Sequence, residues 1–168
     1  KDMCVISDNS GVLGLGGIIG GTRSGTQRET KNILLESAYF LPQITRKTAK
    51  TLGIDTDAKY RFERGIDPNS IIEGLEFATK LILEICGGEA SKFKITGKKE
   101  FKSKIIHLKT NTFKDKIGFS ISPNETKKIL HSLGFKLKAG SKIIKVEVPT
   151  WRPDINQEID LIEELIRI

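Results

Sequence analysis

The chain has 168 residues, 38% hydrophobic, with a net charge of +7 and two cysteines. That length suits one domain or two small ones, and no apolar run approaches the roughly 20 residues a membrane-spanning helix needs. Cys4 and Cys86 lie far apart in apolar contexts, which fits neither a disulfide framework nor a zinc site and favours a reducing compartment.

The charge is unevenly placed. Residues 91–145 hold 15 Lys and 3 acids, a balance of +12, while 146–168 hold 2 basic and 6 acidic residues. Such a Lys-rich stretch is either a solvated surface or a polyanion-binding one. It contains no Arg, which argues against bidentate reading of bases there. The start, Lys1-Asp2-Met3, shows no signal-peptide pattern, and Ile168 falls inside an amphipathic pattern. Both ends read as cut from a longer chain.

In chain order, Cys4-Val5-Ile6 and Gly11 to Gly14 predict a hairpin around Ser7-Asp8-Asn9-Ser10. Gly14 to Gly21, GLGGIIGG, has five glycines in eight positions. They let backbone approach backbone or ligand where a Cβ would collide. The stretch is not a phosphate loop, because Gly21 is followed by Thr22-Arg23 rather than Lys and a hydroxyl residue. Nor is it a dinucleotide fingerprint, because Ile19 stands where the third glycine belongs. Gly20 to Thr30 reads as a polar loop. Asn32 to Ala38 reads as a short buried strand carrying Glu36, an acid aimed at an interior or a cleft.

Pro42 opens a helix through Lys50 that stops near Gly53. Gly53 to Ala58 is a polar loop, and Lys59 to Gly65 mixes charge with aromatics. Asp67 and Pro68 predict an N-cap and first turn for a core helix, with Ile71, Ile72, Leu75, Ala78, Leu81, Ile82 and Ile85 at helical spacing. Gly87-Gly88 ends it.

From about Lys98 the elements shorten and a second domain begins. Ile105 to Lys109 is a strand, and a short helix starts near Thr112. Ser122-Pro123-Asn124-Glu125 is a capping box for a helix closed by Gly134. Phe135 to Lys138 and Ile143 to Val148 alternate around Ala139-Gly140-Ser141 as a hairpin, giving a helix followed by a two-stranded wing. A last helix from about Ile155 has Ile155, Ile159, Ile162, Leu165 and Ile166 on one stripe. Asp160, Glu163 and Glu164 share a sector pointing away from it, at about 100° per residue. With Asp154 they form an acidic set suited to Mg²⁺, to a solvated face, or to a partner's basic patch.

Taken together, GLGGIIGG, NILLESAYF, GIDTDAKYRFERGIDP, ICGGEA and PTWRPDINQEIDLIEELIRI, in that order, resemble the bacterial phenylalanyl-tRNA synthetase beta subunits. The resemblance implies an α+β fold in two parts. Residues 1–97 would be the later part of the tRNA-editing domain, a mixed sheet with packed helices. Residues 98–168 would be a small winged-helix-like domain ending in a Mg²⁺-binding helix.

The resemblance further implies an α2β2 ligase that joins phenylalanine to tRNA(Phe) with ATP and Mg²⁺ in the cytoplasm. ATP and phenylalanine belong to the alpha subunit, not to this stretch. Here the implied work is hydrolysis of mischarged Tyr-tRNA(Phe), with Gly17, Gly20, Glu36, Thr56 and Ala58 in the pocket. Glu36 would accept the tyrosine hydroxyl. Asp154, Asp160, Glu163 and Glu164 would hold a Mg²⁺ ion shared with the alpha subunit. No residue reads as a general base. A Lys-rich RNA-binding module and a structural interface remain as alternatives.

Overall fold

The computed structural model describes residues 2–97, 101–118, 120–138, 140 and 142–168. It divides into two compact units, Lys1–Lys99 and Glu100–Ile168. The break expected between 97 and 98 adjoins residues 98–100, which lie outside the described residues. Helices with small antiparallel sheets make the fold α+β, as expected, with no parallel pairing in either sheet.

In the first unit, strands β1 (Val5–Asp8), β2 (Gly11–Leu15) and β3 (Ile19–Gly20) form one antiparallel sheet in that order. The β1–β2 turn closes because the Asp8 carboxylate accepts from Ser10 N–H at 2.8 Å and from Arg23 at 3.0 Å. Helix α1 (Pro42–Leu52) starts on its proline and ends where Gly53 turns left-handed, φ +64°. Helix α2 (Asp57–Phe62) follows, capped by Thr56. Helix α3 (Ile71–Cys86) is closed by the Gly87 N–H bonded to Leu83 O.

Three expectations need correction here. Asn32 to Ala38 is not a strand: it pairs with no sheet, and Ile33, Leu34 and Leu35 are 52%, 95% and 37% exposed. An apolar run becomes a buried strand only beside a free sheet edge, which this segment does not find. Asp67 does not cap α3. Its carboxylate and carbonyl accept from Asn69 N–H and Ser70 N–H in a separate turn, and the helix begins four residues later. Nor is α3 a core helix, since none of its residues is buried, Phe77 and Ile85 least of all.

The second unit holds β4 (Lys104–Lys109), α4 (Thr112–Ile117), α5 (Pro123–Ser132), β5 (Lys136–Lys138), β6 (Ile143–Val148) and α6 (Glu158–Ile166). Its sheet has the order β4-β6-β5, antiparallel throughout. The α5–β5–β6 succession is the expected helix followed by a wing. Ala139 and Ser141 of the expected turn lie outside the described residues. Ser122 Oγ accepts from Glu125 N–H at 3.2 Å and starts α5 as the local pattern predicts.

Alternation sends Ile106 and Leu108, and Ile144, Val146 and Val148, to one face. There they meet Leu130, Phe135, Leu161, Ile162 and Leu165. Each fully buried side chain of this kind contributes about 1.5–3 kcal/mol before entropy is charged against it. Among the described residues the first unit buries only Ile18 and Ala49 of its apolar side chains, so the main core lies in the second unit.

The buried stripe of α6 is rotated from the expected one. Leu161, Ile162 and Leu165 face inward, while Ile159 and Ile166 are about half exposed. That rotation carries Glu164 to the edge of the core.

Candidate functional site

One wall of the candidate site is the glycine strand. Gly17 has φ +68°, and a Cβ there would stand 2.9 Å from Phe40 and 3.0 Å from Phe62. Glycine is needed so that this aromatic pair can lie directly on backbone. Phe40 and Phe62 pack edge to face, centroids 5.3 Å apart. Gly20 is different. Nothing lies within 4 Å of its would-be Cβ, so its backbone faces open space.

Thr56 joins this wall to α2. Its Oγ1 donates to Ile18 O at 2.7 Å and accepts from Lys59 N–H at 3.1 Å. One hydroxyl thus caps a helix and pins it to the glycine strand. Lys59 lies between Asp55 and Glu63, each at 3.3 Å, and these acids raise its pKa above the ordinary lysine value. Arg64 stacks on Tyr60, 3.7 Å from the ring centre.

The opposite side is the extended segment 32–40. It is tied by Ser37 Oγ, which donates to Ile71 O at 2.8 Å, and by Phe40 at its end, packed on Phe62. Between the two sides lies an open cleft of about 770 Å³, lined among others by Gly17, Gly20, Glu36, Phe40, Ala58 and Phe62.

So Gly17, Gly20, Glu36 and Ala58 converge on one cavity. Thr56 stands behind the wall, its single proton already given to Ile18. Glu36 is not buried, as the strand reading required, but exposed on the cleft. No hydrogen bond or ion pair engages its carboxylate among the described residues. Sequence reasoning missed the Phe40–Phe62 pair and the hydroxyls of Ser24, Thr26 and Thr30 in the lining. The aromatics were visible as two apolar residues flanking polar loops, but their meeting is a tertiary fact.

The acidic set of α6 is arranged around arginines. Arg152 donates from Nε and Nη2 to Asp154, down to 2.6 Å, and from Nη1 and Nη2 to Glu164 at 3.2 and 3.0 Å. Arg167 adds a bond to Glu164 at 2.7 Å. These guanidinium groups hold both carboxyls below their ordinary pKa range.

Asp160 Oδ2 accepts from Asn156 N–H and Gln157 N–H at 2.7 and 2.8 Å, completing a capping box with Gln157. Glu163 is exposed. The four acids therefore do not share one outward sector. Glu164 is 6% exposed, neutralised by arginine. As arranged they do not fit Mg²⁺, which wants several free oxygens around one point. Among the described residues no group of three or more His, Cys, Asp or Glu could hold a metal ion.

Residues 1–87 match the model of the B3/4 domain, and the chain belongs to that family. Residues 106–168 match the tRNA synthetase B5 domain. At the level of individual relatives, the chain is 42% identical to the phenylalanine–tRNA ligase beta subunit of Mesorhizobium japonicum, over 99% of this chain and 21% of the relative. It is 42% identical to that of Rhodopseudomonas palustris, over 100% and 21%, and to that of Bartonella henselae, over 98% and 20%. The chain thus spans about a fifth of the length of the curated relatives it matches.

Proposed function

We propose that this chain serves within a phenylalanine–tRNA ligase, in a subunit of the beta type, and that its cleft proofreads the product. The substrate is Tyr-tRNA(Phe). Water adds to the carbonyl carbon of the tyrosyl ester, the acyl C–O bond to the ribose breaks, and the ribose oxygen leaves with a proton. The observation that carries this reading is the unengaged carboxylate of Glu36 on the same cavity as the open backbone at Gly20.

The chemistry follows from a known difficulty. Tyrosine differs from phenylalanine by one hydroxyl, and an apolar pocket rejects an added hydroxyl poorly. A second site that bonds the hydroxyl does better, because phenylalanine leaves its acceptor without that bond. Phe40 and Phe62 supply an apolar wall for the ring, and Glu36 supplies the acceptor. With no imidazole in the described lining, water held by backbone and substrate groups does the hydrolysis.

The partners in this reading are an alpha subunit and tRNA(Phe), in the cytoplasm. ATP and Mg²⁺ belong to the assembled enzyme, and no step here runs through either.

The test is deacylation of Tyr-tRNA(Phe) and Phe-tRNA(Phe) by the assembled ligase. The expected result is that Glu36→Ala removes the preference for tyrosine, by about 10²-fold or more, and that Glu36→Gln restores part of it. Unchanged selectivity in Glu36→Ala overturns the assignment.

A further inference from the structure

Arg152 stands where two carboxylates from different elements meet. Its Nε donates to the oxygens of Asp154 at 3.0 and 3.1 Å, and its Nη2 to Asp154 Oδ2 at 2.6 Å. From the other edge of the fork, Nη1 and Nη2 reach Glu164 Oε2 and Oε1 at 3.2 and 3.0 Å. One planar group thus holds two acids at once, which the guanidinium fork can do and a lysine ammonium cannot. Arg167 adds a second guanidinium on Glu164 Oε2 at 2.7 Å.

This clasp is built into the second unit. Glu164 is buried, and the Arg152 side chain is 15% exposed. The guanidinium lies 5.7 Å from the ring centre of Phe135, a core residue, and 6.0 Å from that of Trp151. Arg152 N–H bonds Pro149 O at 3.0 Å, which fixes the turn between β6 and α6. The other two acids of the set stand outside the clasp. Asp160 Oδ2 is taken by two backbone N–H groups. The Glu163 carboxylate is exposed, with no hydrogen bond or ion pair among the described residues.

A buried carboxylate needs a positive partner, and here the chain supplies its own. The structure assigns Arg152 the part of a resident cation: it neutralises Asp154 and Glu164, locks α6 to the segment leaving β6, and shuts divalent cations out of these oxygens. All four oxygens of the two acids accept guanidinium N–H, whereas Mg²⁺ needs direct bonds at about 2.0–2.1 Å. An ion that close stands beside the guanidinium, like charge against like, in a partly buried corner that salt screens little. Guanidinium and divalent ion are therefore alternative occupants, and the ion gains the pair only when Arg152 leaves it. Tyrosine selectivity in the cleft plays no part in this.

The test is electron paramagnetic resonance of the whole chain with Mn²⁺, whose sharp free-ion lines vanish on binding. Mn²⁺ is raised to about 2 mM, past the range of weak carboxylate sites. The parent is expected to take up little, and Asp154→Asn to take up the same. Arg152→Gln frees both carboxylates and is expected to bind Mn²⁺ at least about tenfold more tightly than the parent. Arg152→Gln/Asp154→Asn loses that gain. Urea melts followed by the emission of Trp151, the one tryptophan of the chain, show whether the arginine variant is folded. Mn²⁺ raises the midpoint of that variant and leaves the parent's where it was. Parent uptake that falls in Asp154→Asn overturns the assignment, as does a folded Arg152→Gln that gains no Mn²⁺. Should Arg152→Gln not fold, the comparison of the parent with Asp154→Asn decides alone.

Discussion

At the scale of single residues, the two glycines of the cleft separate packing from function. Gly17→Ala forces a methyl into the Phe40–Phe62 pair at φ +68°. It is expected to cost about 2–3 kcal/mol, read as a shifted urea midpoint. Gly20→Ala meets nothing and is expected to leave the midpoint within about 0.5 kcal/mol, while its methyl narrows the cleft and slows deacylation in the assembled ligase. Equal effects of the two on stability would remove the distinction. Thr45 and Thr48 of α1 are buried, and their hydroxyls have no hydrogen-bond partner among the described residues. Thr45→Val keeps the shape and removes an unpaired polar group, so it is expected to be neutral or stabilising by up to about 1 kcal/mol in the same assay.

At the scale of elements, the ties between segments decide the outcome. Thr56→Val deletes the cap of α2 together with its link to Ile18, and a loss of about 1–2 kcal/mol is expected. Thr56→Ser keeps both bonds and most of the stability. In α6, Asp154 and Glu164 have folded pKa values below their ordinary 3.8 and 4.5, chiefly because of Arg152. Lowered pKa values mean the folded state binds protons less readily than the unfolded one. Their stabilisation is complete above about pH 5 and drains away as pH falls through the ordinary values towards the folded ones. Arg152→Gln is expected to cost roughly 2–4 kcal/mol at pH 7 and to flatten that acid limb, measured by urea melts at pH 7 and pH 3.5. These elements also show what was legible in the sequence. Pro42, the Ser122-Pro123 start and the Gly53, Gly87 and Gly134 ends were readable because caps and stops are local chemistry. The strand expected at Asn32–Ala38 was not, because it depends on a neighbouring edge. The Arg152–Asp154 pair spans two residues and was within reach of sequence reasoning. The Arg152–Glu164 pair spans twelve and exists only once α6 has docked. Likewise the glycine wall, Ala58 and Glu36 could be singled out from the sequence, but the exposure of Glu36 could not.

At the scale of the whole molecule, the cohesive apolar cluster is that of the second unit, while α3 of the first has no buried residue. Hydrogen exchange is expected to follow that division, with β4 and β6 amides protected at least 10²-fold more than those of α3. Comparable protection in both would show that the first unit is held more firmly than its burial suggests. The cleft carries a similar asymmetry at smaller size. The glycine side is pinned through Thr56, whereas the 32–40 side has no ladder of backbone bonds among the described residues. The cavity therefore resembles a caliper whose jaws are fastened differently, one by hydrogen bonds and the other by the Phe40 and Ser37 side chains. In the proposed reading, an amino acid in the cleft would be gauged from the 32–40 side, which bears Glu36.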